Sequence, residues 1–321
     1  MAISGGGMTK RWDAVTVGEI YIDHVFSALP GWPRPGEEVF TKNYLCEVGG
    51  GAAITGCALG LLGRKTAVFG VVGEEDAAWI AKRLAEFGVE SGGLKRAPQR
   101  SGVTVSISVT EDRTFFSYAG TNELLSAYLL SEGVVEQLSQ AAHVHFAVPL
   151  DRRVAITLLP VLQSAGCTVS LDVGWQPEWY LNPDNLRTCK EIDYFLPNRK
   201  EAGYLTGKGR PEDVLEGLER LGFSHVVVKL GADGAAIRID GRMLRVPSPD
   251  VQVVDTTGAG DAFDAGLIDA VLDGTDPLEM LRRASACGAL STRTAGGLMG
   301  LPLRQELEEI CERQSINAQQ S

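Results

Sequence analysis

The segment 253–263, Val-Val-Asp-Thr-Thr-Gly-Ala-Gly-Asp-Ala-Phe, holds the residue types best suited to chemistry. A β-branched run ends at Asp255 and a loop of small residues follows over 256–260. Phe263, Leu267, Ile268, Val271 and Leu272 then fall at helical spacing. The loop therefore joins a strand end to a helix start. Backbone N–H groups in the first turn of a helix have no acceptor inside it, and they point at whatever lies ahead. Gly258 and Gly260 let a bulky ligand reach that backbone, which makes an anion hole. Asp261 falls at the first helical turn, beside it. A carboxylate there can take a proton from a hydroxyl while the N–H groups hold the charge of a transferring phosphoryl group. On residue types alone a plain cap explains the same loop, because Asp is a favoured N-cap and glycines are common before helices.

Other glycine chemistries fit less well. Phe263 stands where a dinucleotide fingerprint needs its third glycine, and Ile54 does so after Gly49, Gly50 and Gly51. No Gly-x-x-x-x-Gly-Lys-Ser/Thr loop is present.

Several elements must position this loop. The stretch 14–20 is β-rich, and 66–72, 144–148, 168–171, 194–196 and 226–230 are short apolar runs suited to inner strands. Helical patterns separate most of them: Ile54, Cys57, Ala58, Leu61 and Leu62 mark one face, and 77–87 another helix. Such alternation predicts an α/β fold with a mostly parallel central sheet, covered on both faces. Two segments break the rhythm. The runs 103–110 and 114–118, joined at Glu111, Asp112 and Arg113, predict a hairpin, and 38–48 is extended in character. Together, over about 34–48 and 101–120, they predict a small antiparallel sheet standing apart from the main one. Asp23 is expected just beyond the first strand.

Composition narrows the partners. The chain has 321 residues, 44% of them apolar and 22% charged, enough for a sizeable core and unlike a disordered chain. With 30 basic and 41 acidic residues its net charge is -11, so nucleic acid and anionic membrane are poor partners. No apolar stretch approaches a membrane span. The six cysteines form no Cys-x-x-Cys pair, and His143 and His145 alternate within an apolar run. This spacing reads as reduced thiols of a cytoplasmic protein rather than a zinc site. One domain is expected over 11–313, with 1–10 and 314–321 as loose termini.

Four ordered motifs share one resemblance. Residues 255–263 closely resemble the C-terminal signature of the ribokinase-like, or PfkB, family of sugar and nucleoside kinases. Gly49, Gly50 and Gly51, leading into a helix, resemble its N-terminal glycine signature. Asn198-Arg-Lys-Glu201 is similar to its Asn-x-x-Glu, and 229–234, Lys-Leu-Gly-Ala-Asp-Gly, to its nucleotide-side loop. The resemblance implies a ribokinase-like αβα sandwich and ATP-dependent phosphorylation of a hydroxyl on a small sugar or sugar derivative. It implies Asp261 as general base and the N–H groups of Gly258, Ala259 and Gly260 as anion hole. Asp23 would grip sugar hydroxyls, with Gly49, Gly50 and Gly51 bringing backbone close. Asn198 and Glu201 would organise magnesium and phosphates through water, and Lys229, Gly231 and Gly234 would meet the ATP. The resemblance makes the small sheet a β-sheet lid over the sugar; a potassium ion near Asp255 and Thr257, and a homodimer through the lid burying Phe115 or Phe116, are further implications. Beside each role stands a local reading: a turn Asp at 23, tight packing at 49–51, a helix start at 198–201 and a strand-to-strand turn at 231–234. A nucleoside kinase, a non-catalytic sensor on the same scaffold and an NAD-linked dehydrogenase are the alternative functions.

One departure bears on specificity. Many sugar kinases of this family carry Asn where this chain has Ile54, so a ribose-like binding mode is in question. The glycine triplet without that Asn is closer to the sulfofructose-kinase-like branch. Arg113, on the lid, is a candidate to meet an anionic end of a substrate, or an ordinary turn residue.

Overall fold

The structure is a computed structural model that describes residues 10–109, 113–239 and 241–320. The turn expected at Glu111 and Asp112, and the side chain of Arg113, lie outside the described residues. Strands in chain order are β1 (Trp12–Gly18), β2 (Tyr21–Leu29), β3 (Asn43–Gly49), β4 (Thr66–Gly73), β5 (Val89–Ala97), β6 (Gly102–Val109) and β7 (Arg113–Tyr118). They continue as β8 (Ala141–Ala147), β9 (Thr168–Leu171), β10 (Tyr194–Phe195), β11 (His225–Lys229), β12 (Ala235–Ile239) and β13 (Arg242–Val246).

Nine strands make the main sheet, in the order β13-β12-β11-β10-β9-β8-β1-β4-β5. Every pair from β5 to β11 is parallel, and only β12 and β13 run antiparallel at one edge. Both faces are covered. Val15, Phe69, Val144 and Phe146 pack with Leu158 and Leu162 on one side. Ala14 and Val68 pack with Ile54, Leu59 and Ile80 on the other. This double burial explains why β4, Thr-Ala-Val-Phe-Gly-Val-Val-Gly, is apolar without alternation. Helix Gly51–Leu61 is likewise apolar on nearly all sides. It lies between β1 and helix Ala259–Leu272, touching both.

The lid is a separate four-stranded sheet in the order β3-β2-β6-β7. The hairpin β6–β7 forms, with Val105 opposite Phe116, but Arg113, expected in its turn, opens β7 and pairs with Ser108. Other expectations also need correction. Asp23 lies within β2, at the centre of the lid, and not beyond a strand end. The strand after the proline-rich segment begins only at Asn43, so 34–42 is irregular. The sequence pattern hid β2 because both its neighbours are in the lid: its register is set by Glu47 and Thr104, distant in the chain. The tail expected to be loose after 313 continues helix Arg304–Gln320, and Gln314 donates to the Pro247 carbonyl at 3.0 Å. No helix among the described residues is long and apolar enough to cross a membrane.

Candidate active site

The chain order reverses around β1: it runs to β4 and β5 on one side and to β8 and beyond on the other. The crevice outside the carboxyl ends of such strands is where open α/β sheets bind ligands. The Gly49–Gly51 connection that leaves β3 and the 255–263 loop meet at Asp261. Gly258 caps helix Ala259–Leu272 in the left-handed region, at φ 73°. A side chain on it would press on Gly297 Cα at 3.1 Å and on Ile54 at 3.2 Å. Asp255 fixes the loop from behind: one oxygen accepts from the Thr257 N–H and hydroxyl, both at 2.8 Å, the other from Gly296 N–H at 2.9 Å. Of the expected anion-hole donors, Ala259 N–H is engaged by the Thr256 carbonyl at 3.3 Å. Gly260 and Asp261 supply the next two N–H groups of the first turn, which helix geometry leaves without an intrahelical acceptor.

The two ends of the sequence meet at Asp261. A Cβ on Gly51 would stand 2.9 Å from Asp261 Oδ1 and 3.0 Å from Ala147 Cβ, so glycine is what admits the carboxylate. Thr55 Oγ1 donates to the Asp261 carbonyl at 3.1 Å, tying helix Gly51–Leu61 to the same turn. From the lid, the Asp23 carboxylate lies over Gly49, where a Cβ would approach Asp23 Oδ2 to 2.0 Å. Burial, then the Glu47 charge opposite, pushes the Asp23 carboxyl up to about 7. Asp261 is also pushed up to about 7, by burial first and the Asp172 charge second, while Lys229 pulls it down.

Beside this turn opens a cleft of about 650 Å³. Asn198, Lys229, Gly231, Gly234, Val251 and Phe263 are among the residues that line it. Gly231 and Gly234 do form a turn between β11 and β12, at φ 63° and 87°. A side chain at Gly234 would collide with the Val246 carbonyl at 1.9 Å. Asn198 and Glu201 form a complete capping box: Asn198 accepts from Lys200 and Glu201 N–H, and Glu201 accepts from Asn198 N–H at 2.8 Å. The pair is both a helix start and part of the cleft end, for Asn198 pairs with Lys229 in an isolated bridge. Glu201 is buried, not on the surface, and burial with the Asp172 charge pushes it up to about 7.

This arrangement joins a buried carboxylate at a helix N-terminus, a carboxylate-bearing lid and a cleft. The sequence profile of the pfkB family carbohydrate kinases matches residues 13–303. This chain belongs to that family. The kinase is 27% identical to the 2-dehydro-3-deoxygluconokinase of Bacillus subtilis, over 95% of this chain and 97% of that one. It is 27% identical to the ribokinase of Haemophilus influenzae, over 94% and 99%. The structure of Arabidopsis thaliana ribokinase complexed with ribose and ATP superposes with a TM-score of 0.79 at 26% identity, covering 95% of this chain and 99% of that one.

Sequence reasoning missed part of the kinase's site. Asp172 follows β9, and Asp264 lies one turn beyond Asp261, buried. Each of Asp172, Asp261 and Asp264 places a carboxylate oxygen within 4.8 Å of the others. Lys229 Nζ reaches into this group, 2.6 Å from Asp172 Oδ2 and 2.7 Å from Asp264 Oδ1. The ammonium thus points to the Asp261 turn. An Asp just past a short apolar strand was the available signal for Asp172, by the rule that strand carboxyl ends bear function. Asp264 gave none, because the helix pattern reads it as one polar residue among apolar ones. Ile54 faces the core, 3% exposed, and packs under Gly258 and Gly297.

Proposed function

We propose that the kinase transfers the γ-phosphoryl group of ATP to a hydroxyl of a small sugar or sugar derivative held between the Gly49–Gly51 turn and the lid. The observation that carries this reading is the approach of Gly51 to Asp261, which sets the sugar-side backbone against the base. Asp261 takes the hydroxyl proton, and the first-turn N–H groups hold the charge gathering on the phosphoryl oxygens. Asp23 accepts from sugar hydroxyls, and Asn198, Gly231 and Gly234 border the cleft for the nucleotide. A base must be ionised to accept a proton, so turnover rises as pH climbs through about 7.

Magnesium suits the oxygen donors at the cleft end. The Asn198 and Glu201 side chains would hold its water shell there, and the ion would neutralise phosphate charge. Potassium is the further reading at Asp255 and Thr257. Both Asp255 oxygens already accept N–H or O–H groups. Residues 11–313 form one functional unit in this reading, in a cytoplasm that keeps the six thiols free. A second copy meets the lid, where Phe115 and Phe116 are about half exposed, at 51% and 53%. Sedimentation as a monomer at high micromolar concentration would count against that dimer.

The test of the main reading is phosphate transfer from ATP to a panel of neutral sugars, sugar acids and nucleosides. Transfer to one of the sugars supports it. Transfer to nucleosides alone would move the acceptor class. Tight binding without transfer to any compound would favour a sensor, and NAD binding without ATP binding would favour a dehydrogenase.

A further inference from the structure

Three carboxylates converging within 4.8 Å have the spacing that oxygen ligands of a cation take. A cation already stands among them, on the protein. Lys229 Nζ donates to Asp172 Oδ2 at 2.6 Å, to Asp264 Oδ2 at 2.9 Å and to the Gly260 carbonyl at 3.3 Å. An ammonium has three donors, and these three acceptors use them. We propose that Lys229 is a positioning residue for phosphoryl transfer: its ammonium, fixed between Asp172 and Asp264, holds and polarises the peptide between Gly260 and Asp261. That peptide carries the Gly260 carbonyl on one side and the Asp261 N–H on the other. The lysine bonds the carbonyl from behind, and across the planar peptide the N–H points the other way, to the side where the Asp261 carboxylate meets it and the phosphoryl group would sit. Hydrogen bonds in a chain strengthen one another, so a positive charge behind the peptide makes its N–H a better donor in front.

The surroundings leave Lys229 as the cation of this centre. Asp172 faces it from the end of β9 and Asp264 from helix Ala259–Leu272. Glu201, on helix Arg199–Thr206, and Asp261 feel its charge, and Asp261 also feels that of Asp23 in the lid. On β8, His145 Nε2 lies 3.8 Å from Asp264 Oδ2. His145 Nδ1 pairs with Ser170 Oγ at 2.8 Å, and His143 bridges Ser170 and Thr168 at 2.7 Å each. Burial holds both histidines down at about 3, so this wall is neutral, and His145 Nε2 has no hydrogen-bond partner among the described residues. Among the carboxylates, burial raises Asp264 well above the usual range. Burial opposes ionisation of Asp172 too, but the ammonium outweighs it and holds Asp172 low. Lys229 therefore stands between Asp172 and Asp264, and Asp261 also feels its charge.

The proposal rests on Asp261 as the base, and the experiment separates the two. Lys229→Met keeps the stem and removes the charge. We expect kcat at pH 7 to fall roughly ten- to hundredfold, with KM for ATP and sugar within about threefold. The acid limb of kcat/KM should move up by about one pH unit, and Lys229→Arg should return it toward the wild-type position. If Lys229→Met does not fold, Lys229→Met/Asp264→Leu removes the buried pair together, and the same kcat loss and limb shift are expected. A folded variant with wild-type kcat and limb overturns the proposal. So does a raised KM for ATP at unchanged kcat, which would make Lys229 a plain nucleotide ligand. Loss that is equal at every pH and is not restored by Arg would make it structural and also overturns the proposal. Asp261→Asn is run beside these variants: near-normal turnover there removes the base reading and this proposal with it. An inactive Asp261→Asn beside a wild-type Lys229→Met removes this proposal alone.

Discussion

Helix Ala259–Leu272 carries a buried charge cluster at each end, and the two are built on opposite plans. At the C-terminal end Asp269 is fully buried and meets Arg64 at 2.6 Å, Arg283 at 2.9 Å and Arg304 at 2.8 Å. These arginines come from the connection between helix Gly51–Leu61 and β4, from helix Pro277–Ser291 and from helix Arg304–Gln320. Arg64 and Arg283 also hold Asp273, and Arg304 reaches the Leu62 carbonyl at 3.0 Å. Cations at a helix C-terminus suit its dipole, and here they also offset two acids in the last turns. At the N-terminal end one ammonium serves Asp172 and Asp264, while Asp261 stands beside it with its carboxyl pushed up to about 7. An acid at a helix N-terminus is ordinarily favoured in its ionised form. Burial and the neighbouring Asp172 outweigh that preference. The saturated cluster ties helices together, and the undersupplied one leaves a carboxylate with proton affinity to spend.

The sharpest way to test this contrast is to neutralise one acid at each end. Asp261→Asn keeps the shape of the first turn, and turnover should fall by roughly two to four decades, the usual worth of a positioned base. Initial rates with any accepted sugar measure this, and a loss below tenfold would erase the difference between the ends. Asp269→Ala leaves three arginines without their buried partner and should cost about 3–5 kcal/mol of stability, read from the denaturation midpoint. The kcat of the folded fraction should stay within about threefold, since the two ends share no partner. A large kcat loss with intact stability would mean that the Asp269 cluster, too, serves the chemistry.

A smaller effect is expected midway, where Ile54 packs under the Gly258 turn. Ile54→Asn buries an amide without a partner and should cost about 1–3 kcal/mol. It should not improve ribose phosphorylation, because the side chain faces the core. A gain in ribose turnover would place residue 54 in the sugar pocket. The smallest effect is a pH signature in stability. The folded carboxyl of Asp261 binds its proton more tightly than an unfolded one, so its penalty is absent below about pH 4 and full above about pH 7. Asp261→Asn should therefore raise the melting temperature more at pH 8 than at pH 4. An equal change at both would say that Asp261 is not strained toward its neutral form.

The parts that were legible in advance are those whose causes lie within a few residues. The β6–β7 hairpin follows from two strand-like runs close together in the chain, although Arg113, expected in the turn, pairs with Ser108 instead. The Asn198–Glu201 box closes over three residues, so its spacing announces it. The left-handed cap at Gly258 and the turn at Gly234 need glycine for local geometry. The family signatures belong to the same class, because each is a contiguous loop.

What the sequence by itself determined is the set of local devices: which runs become strands, where helices begin, and which loop can hold an anion. The tertiary structure alone decided what those devices face. Asp23 meets Gly49 because β2 and β3 pair across the lid, and Asp261 meets Gly51 across more than half of the chain. Lys229 finds Asp172 and Asp264 only after the parallel sheet brings β9 and β11 to one rim. Side-chain direction, burial and the resulting proton affinities depend on long-range neighbours, and a pattern of period two or three and a half carries no record of them.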